Sequence, residues 1–217
     1  MRSVFFSCMM LALILPFRVF SETEESSGVT NLPKSTPYSD EITGIVFPAR
    51  IGLFTKIEVR KNNNPFFGTL IRYSGNFGTS ADIYIYSLSA TPAEVPLKRA
   101  LEHYEEIKNS ILGLASKATG LDQITLEEEY TLQTGKQDVG RRAVFHFDMD
   151  GESFTSELVV FPYGDRIIKF RITSPTDSTA ARKAAAEFLR TVSDSFFKGN
   201  SVRFVPIARQ KAAPAST

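Results

Sequence analysis

Cysteine is nearly absent: the one thiol, Cys8, stands inside an N-terminal apolar run. A chain cut after that run keeps no thiol, which excludes disulfides and thiolate chemistry. Histidine is almost as scarce, with His103 and His146 alone, so the ordinary nucleophile and base pairs are nearly unavailable. The patterns G-x-S-x-G, H-E-x-x-H and C-x-x-C do not occur. Their absence points away from an enzyme without excluding carboxylate-only chemistry. Charge of one sign is lacking too: 25 basic residues stand against 24 acidic ones, and losing Arg2 and Arg18 with the N-terminal run leaves about −1. A near-neutral chain has no basic stripe for phosphates, so no nucleic-acid partner is expected. Beyond the N-terminal run no segment reaches the roughly 20 apolar residues of a span, so no transmembrane segment is expected after its removal.

That run has the parts of a secretory signal peptide. Arg2 precedes an uncharged, mostly apolar stretch from Val4 to Phe17, and Val19-Phe20-Ser21 puts a small residue before Glu22-Thr23-Glu24-Glu25. Cleavage after Ser21 is expected. The alternative is a retained anchor, but the run is short and Arg18 interrupts it. Phe5-Phe6-Ser7-Cys8 stands at the start of the run, where a lipoprotein cleavage site would follow it, which argues against lipidation. Export places the protein in a periplasm or outside the cell. The expected organisation is a signal peptide over 1–21, a disordered linker over 22–43, a single α+β domain over 44–198 and a C-terminal tail over 199–217. The linker is assigned on its Glu, Ser, Thr, Pro and Lys content, which offers little apolar surface to bury.

Within the domain the patterning alternates between periods of two and of 3.6. Ile45 to Phe47 and then Phe54, Ile57 and Val59 read as strands ahead of the polar turn Lys61 to Pro65. Thr69 to Tyr73 and Ala81 to Tyr86 read as two more. In the second, Ile83 and Ile85 face one way and Tyr84 and Tyr86 the other, which predicts cover on both sides. After Pro96, residues Leu97, Ala100, Leu101, Tyr104, Ile107, Ile111 and Leu114 share one face of a helix predicted to end near Gly120. Glu127 to Leu132 and Arg142 to Met149 read as strands, and Asp150-Gly151 is a two-residue hairpin turn. Its register sets Phe147 opposite Phe154, Phe145 opposite Ser156 and Ala143 opposite Leu158.

A second hairpin runs from Glu157 through the turn Pro162 to Asp165 into Ile168, Phe170 and Ile172. Ser174-Pro175-Thr176-Asp177 then reads as a helix start. Ala181, Ala184, Ala185, Phe188, Leu189, Val192 and Phe196 form the apolar face of the helix that follows. Past it, Val202 and Phe204 alternate with Arg203 and Val205 before Pro206. This is the pattern of a short edge strand that either folds back on its own domain or docks on a partner. The fold class is therefore α+β, an antiparallel sheet flanked by two main helices.

Candidate sites are few. His146, Asp148 and Asp150 share a strand face as H-x-D-x-D, the arrangement a metal cluster would use. Against it, Asp150 is wanted by the turn, Asp148 suits a solvent-side hairpin end and no second histidine is near. His103 has Glu102 beside it and Glu106 at i+3, which could hold an imidazole for proton transfer, but it lies next to the charged stripe of the helix and is read as a surface ion pair. Glu127-Glu128-Glu129 on a strand cannot present three carboxylates to one ion without a bulge. Gly75 to Ser80 resembles a phosphate loop yet leads into a strand, not a helix N-terminus. No catalytic, cofactor-binding or metal residue is assigned, and no cofactor is expected.

Phe47-Pro48-Ala49-Arg50-Ile51-Gly52-Leu53-Phe54, then Ala81-Asp82-Ile83-Tyr84-Ile85-Tyr86 and the final helix from Ala184 to Phe197, together resemble the PsbP-like fold, an α/β/α sandwich found in exported proteins. The likeness covers about residues 44–198. It implies a non-catalytic accessory protein that binds a protein partner or an envelope assembly, with no family binding residue carried over. Two alternatives remain open: an envelope enzyme using carboxylates or His146, and a carrier of a small apolar ligand in the aromatic-rich space between helix and sheet. The sequence sets no oligomeric state.

Overall fold

The computed structural model describes residues 36–62, 64–114, 121, 123–197 and 200–207. The expected signal peptide, most of the linker and the last ten residues of the tail lie outside them. Among the described residues the order is β1 (Tyr38–Ser39), β2 (Val46–Phe47), β3 (Arg50–Ile51), β4 (Phe54–Lys61), β5 (Thr69–Gly75), β6 (Ser80–Tyr86), α1 (Leu97–Leu112), β7 (Thr125–Thr134), β8 (Gln137–Met149), β9 (Glu152–Tyr163), β10 (Arg166–Pro175), α2 (Thr179–Phe196) and β11 (Val202–Pro206). Nine strands make one antiparallel sheet in the order β11-β7-β8-β9-β10-β6-β5-β4-β3, and β1 pairs with β2 beside it. No described helix is long and apolar enough to cross a membrane.

Each helix seals part of one sheet face. Ala181, Ala184, Ala185, Phe188, Leu189, Val192 and Phe196 of α2 are buried, as the periodicity predicts. They close over Ile71, Tyr73, Ile83, Ile85, Val159, Phe161, Ile168, Phe170 and Ile172. Phe188 meets Phe54 at 4.5 Å and Tyr73 at 5.2 Å between ring centroids, so α2 reaches from β10 out to β4. On the opposite face Ala100, Tyr104 and Ile111 of α1 pack with Ala143, Phe145, Phe147, Leu158 and Val160 of β8 and β9. Helix α1 lies over β8 and β9, whereas α2 contacts β10 and β11 and reaches Phe54 of β4. Helix α1 therefore leaves much of its own face without a helix above it.

The β8–β9 hairpin has the expected register, with Phe147 opposite Phe154, Phe145 opposite Ser156 and Ala143 opposite Leu158. Asp150 and Gly151, at φ of 53° and 82°, form the turn, the backbone a type I′ hairpin needs. Elsewhere the structure corrects the sequence reading. The linker does not extend to 43: Tyr38 stacks on Phe47 at 6.2 Å, and buried Asp40 accepts from the Tyr38 hydroxyl and from the Thr43 amide and hydroxyl. One aromatic ring and one turn-forming carboxylate are enough to bind that segment to the fold.

Helix α1 stops at Leu112, with Gly113 closing its last turn through the Asn109 carbonyl, well short of Gly120. Helix α2 is capped by Ser178, whose side chain accepts from the Ala181 amide. Ser174 and Pro175 instead finish β10, opposite Thr155 and Phe154. The region assigned to the tail contributes β11, paired with β7. In β4 an irregularity between Lys56 and Glu58 turns Ile57 out to solvent, 37% exposed, where strict alternation had no place for it. The same irregularity puts Glu58 on the face away from α2, beside Arg72.

Candidate functional site

The part of the α1-side face that α1 leaves open is built by β10, β6, β5 and β4. Because side chains alternate across a strand, one row of this face runs Glu58, Arg72, Asp82, Arg171 and then Leu158, and the next runs Arg60, Leu70, Tyr84, Lys169 and Val160. The centre of the second row holds no acid. Lys169, 6% exposed, lies with its ammonium 3.9 Å from the Tyr84 ring centroid and 5.8 Å from that of Tyr86. Such contacts soften the burial of a cation without replacing a counterion.

The acids of the first row are already engaged. Asp82 accepts twice from Arg72, at 2.8 and 3.2 Å, and from the Tyr84 hydroxyl at 3.3 Å. Glu58 accepts from Arg72 at 3.1 Å and Arg60 at 2.6 Å. No carboxylate among the described residues forms an ion pair with Lys169 or Arg171, and the Arg171 Nε is shut from solvent with no acceptor. Burial first, and the Arg171 charge second, push the Lys169 ammonium down to about 7, against a smaller pull from Asp82. Burial also lowers Arg171, which stays charged because a guanidinium does not deprotonate in proteins.

The wall of this site is the N-terminal half of α1. His103 makes the pair with Glu106 that its spacing suggested, but its side chain is largely buried. Its Nδ1 does meet Glu106, at 3.0 Å, but its Nε2 sits 2.7 Å from the Tyr86 hydroxyl and the ring stands edge-on to Tyr86. Burial lowers its pKa although Glu106 raises it, so the neutral ring is favoured near pH 7. Glu106, exposed, also takes Arg99 at 3.3 Å.

The other sequence candidates do not join this site. His146 lies on the opposite face of the sheet, its Nδ1 3.4 Å from the Thr176 hydroxyl and its Nε2 3.7 Å from Asp148. Asp150 is taken up by the turn, and no group of three metal-ligating side chains occurs among the described residues. The acidic run does carry a strand irregularity, between Leu126 and Glu128. There Glu129 turns to α1, where it accepts from Tyr104 at 2.7 Å and Lys108 at 2.8 Å. Burial would raise that carboxyl, but those hydrogen bonds outweigh it and hold it low. Glu127 and Glu128 stay exposed, so the run anchors a helix.

Sequence reasoning passed over Lys169 and Arg171 because Ile167-Ile168-Lys169-Phe170-Arg171-Ile172 reads as a strand with one wet face. The signal that could have found them is the neighbouring strand, whose Tyr84 and Tyr86 already mark that face as covered.

No protein-family model matches the chain, and no curated protein does. A solved structure of a mutant of the protein Mog1 is similar to it at 11% identity and a TM-score of 0.39, over 78% of this chain and 96% of that one. At that level of similarity nothing about function transfers.

Proposed function

We propose that this is an exported, non-catalytic partner-binding protein of the PsbP-like fold, and that it recognises its partner through the open α1-side face of β10, β6, β5 and β4. The single observation that carries the reading is the charged, tyrosine-lined floor there, Arg72, Asp82, Tyr84, Lys169 and Arg171, where two cations have no carboxylate in an ion pair with them among the described residues. Charge held in a half-buried site costs folding stability, and such groups are concentrated where proteins bind or react. Binding is favoured over catalysis because both acids on this floor are locked to Arg72 and cannot move a proton without breaking that pair. The expectation of export rests on the residues from Arg2 to Glu25, and that of a PsbP-like α/β/α sandwich on the order of elements and one helix on each face.

The test is site-specific cross-linking in cells of the source organism. A photoreactive residue at Arg60, exposed at the rim of this floor, should give a discrete adduct, and one at Lys183, on the outer side of α2, should not. Adducts at Lys183 alone, or none at Arg60, would overturn the reading.

A further inference from the structure

We infer that Lys169 and Arg171 form an oxyanion site, taking a carboxylate or phosphate group of the bound ligand between the Tyr84 ring and the Arg72–Asp82 pair. The inference rests on the reading of this face as the recognition surface and names the chemistry it recognises.

Lys169 and Arg171 carry charge that no ion pair among the described residues balances, Asp82 acting on both only at longer range. The two cations occupy alternate positions of β10, so they share a face about 7 Å apart along the strand, a gap that one oxyanion with two or three oxygens can bridge. Asp82 is the acid nearest in register to both, facing Arg171 directly across the strand pair, yet its oxygens are taken by Arg72 and Tyr84. On the β9 side the facing residues are Leu158 and Val160, which supply no acceptor. From α1 the group that reaches this region is His103, itself committed to Tyr86 and Glu106. The Arg171 Nε has no acceptor and the Lys169 ammonium has only ring faces for partners. An oxyanion entering beside them would balance both charges, with charge-assisted hydrogen bonds to the donors it reaches.

A proton signature follows. The ammonium that burial pushes down to about 7 is half neutral at that pH, and a bound anion favours its charged form. Binding of an anion that does not itself titrate near pH 7, such as acetate, should therefore take up protons there, and its affinity should fall as pH rises above 7. The groups facing Lys169 are Tyr84, Tyr86 and Asp82 from β6, Arg171 from β10 and His103 from α1. Burial raises both tyrosines well beyond this range and Asp82 is paired with Arg72, so Lys169 is the group that carries the uptake above pH 7.

The experiment is titration calorimetry of the full mature chain with sodium phosphate and with sodium acetate, at constant ionic strength set by chloride, in two buffers of different ionisation enthalpy. Saturable binding is expected for at least one anion, with proton uptake at pH 7 read from acetate, and with a loss of about tenfold or more in Lys169→Met and in Arg171→Gln. The exposed control Arg203→Gln, on β11, should bind as the native chain does. No saturable binding, or equal affinity in the native chain and Lys169→Met with both folded by circular dichroism, would overturn the inference. The same anions added to the Arg60 cross-linking reaction separate the sources. Loss of the adduct assigns the oxyanion to the partner's surface; an adduct that persists while the anion binds assigns it to a free small molecule. If the Arg60 adduct forms but neither anion binds, this inference fails and the docking reading stands; if no adduct forms, it is the docking reading that fails.

Discussion

Lys169 shows how one residue's environment reverses what its type suggests. In sequence it is an ordinary polar partner to Ile168 and Phe170; in the fold it is 6% exposed with tyrosine rings for neighbours. Its ammonium is depressed from the usual lysine range to about 7, so between about pH 7 and 10 the unfolded chain binds the extra proton. Stability must then rise with pH across that window, since it rises wherever the unfolded state holds more protons. Urea melts from pH 7 to 9 should show a gain of up to about 1.4 kcal/mol per pH unit from Lys169, with the slope reduced in Lys169→Met to what Lys56, also lowered by burial, contributes. At the hairpin the same scale separates two adjacent residues. Phe147 is 3% exposed and stacks on Phe154 at 5.5 Å, so Phe147→Ala should cost about 3 to 5 kcal/mol. His146, touched only by a hydroxyl and a partly exposed carboxylate, should tolerate alanine with little change in the melt. Here the faces were legible because a two-residue turn fixes register; at Lys169 they were not, since alternation tells two faces apart but not what covers each.

Among the elements, legibility followed how local the determining physics is. The apolar face of α2 was readable to the residue because helical periodicity needs no partner. Its start was misplaced because Ser174-Pro175 satisfies helix-start chemistry equally well while pairing with Thr155 and Phe154 in the sheet. The strand irregularities in β4 and β7 leave no local mark, and they decide that Ile57 faces solvent and that Glu129 faces α1. Strand β11 was anticipated from two alternating apolar residues. It pairs with β7, and the Phe204 ring lies 5.0 Å from the Arg142 guanidinium and 6.5 Å from the Tyr130 ring. Removing Ser201 to Thr217 should therefore lower stability, by about 1 to 3 kcal/mol for the surface that Phe204 and Val202 bury, read as an earlier midpoint in urea. An unchanged midpoint would mean that β11 is held too weakly to belong to the core.

For the molecule as a whole, the placement of α1 over β8 and β9 leaves its face of the sheet with two characters. Where each helix lies the sheet is mostly apolar. Where α1 gives way, on β10, β6, β5 and β4, the chain keeps Lys169 and Arg171 without carboxylate partners, and net charge does not announce it because 25 basic residues stand against 24 acidic ones over the whole chain. A fold selected for stability alone would fill that position with an apolar side chain, since replacing a buried charge by a hydrophobe of similar volume is often stabilising. The proposed recognition role implies that Lys169 is kept at the expense of the fold. Urea unfolding of the native chain and of Lys169→Met at pH 6.5, without phosphate or carboxylate buffers, tests it most directly. The variant should be more stable, by about 1 to 4 kcal/mol; a variant less stable than the native chain would show that the lysine holds the structure together and that the account of this face is wrong.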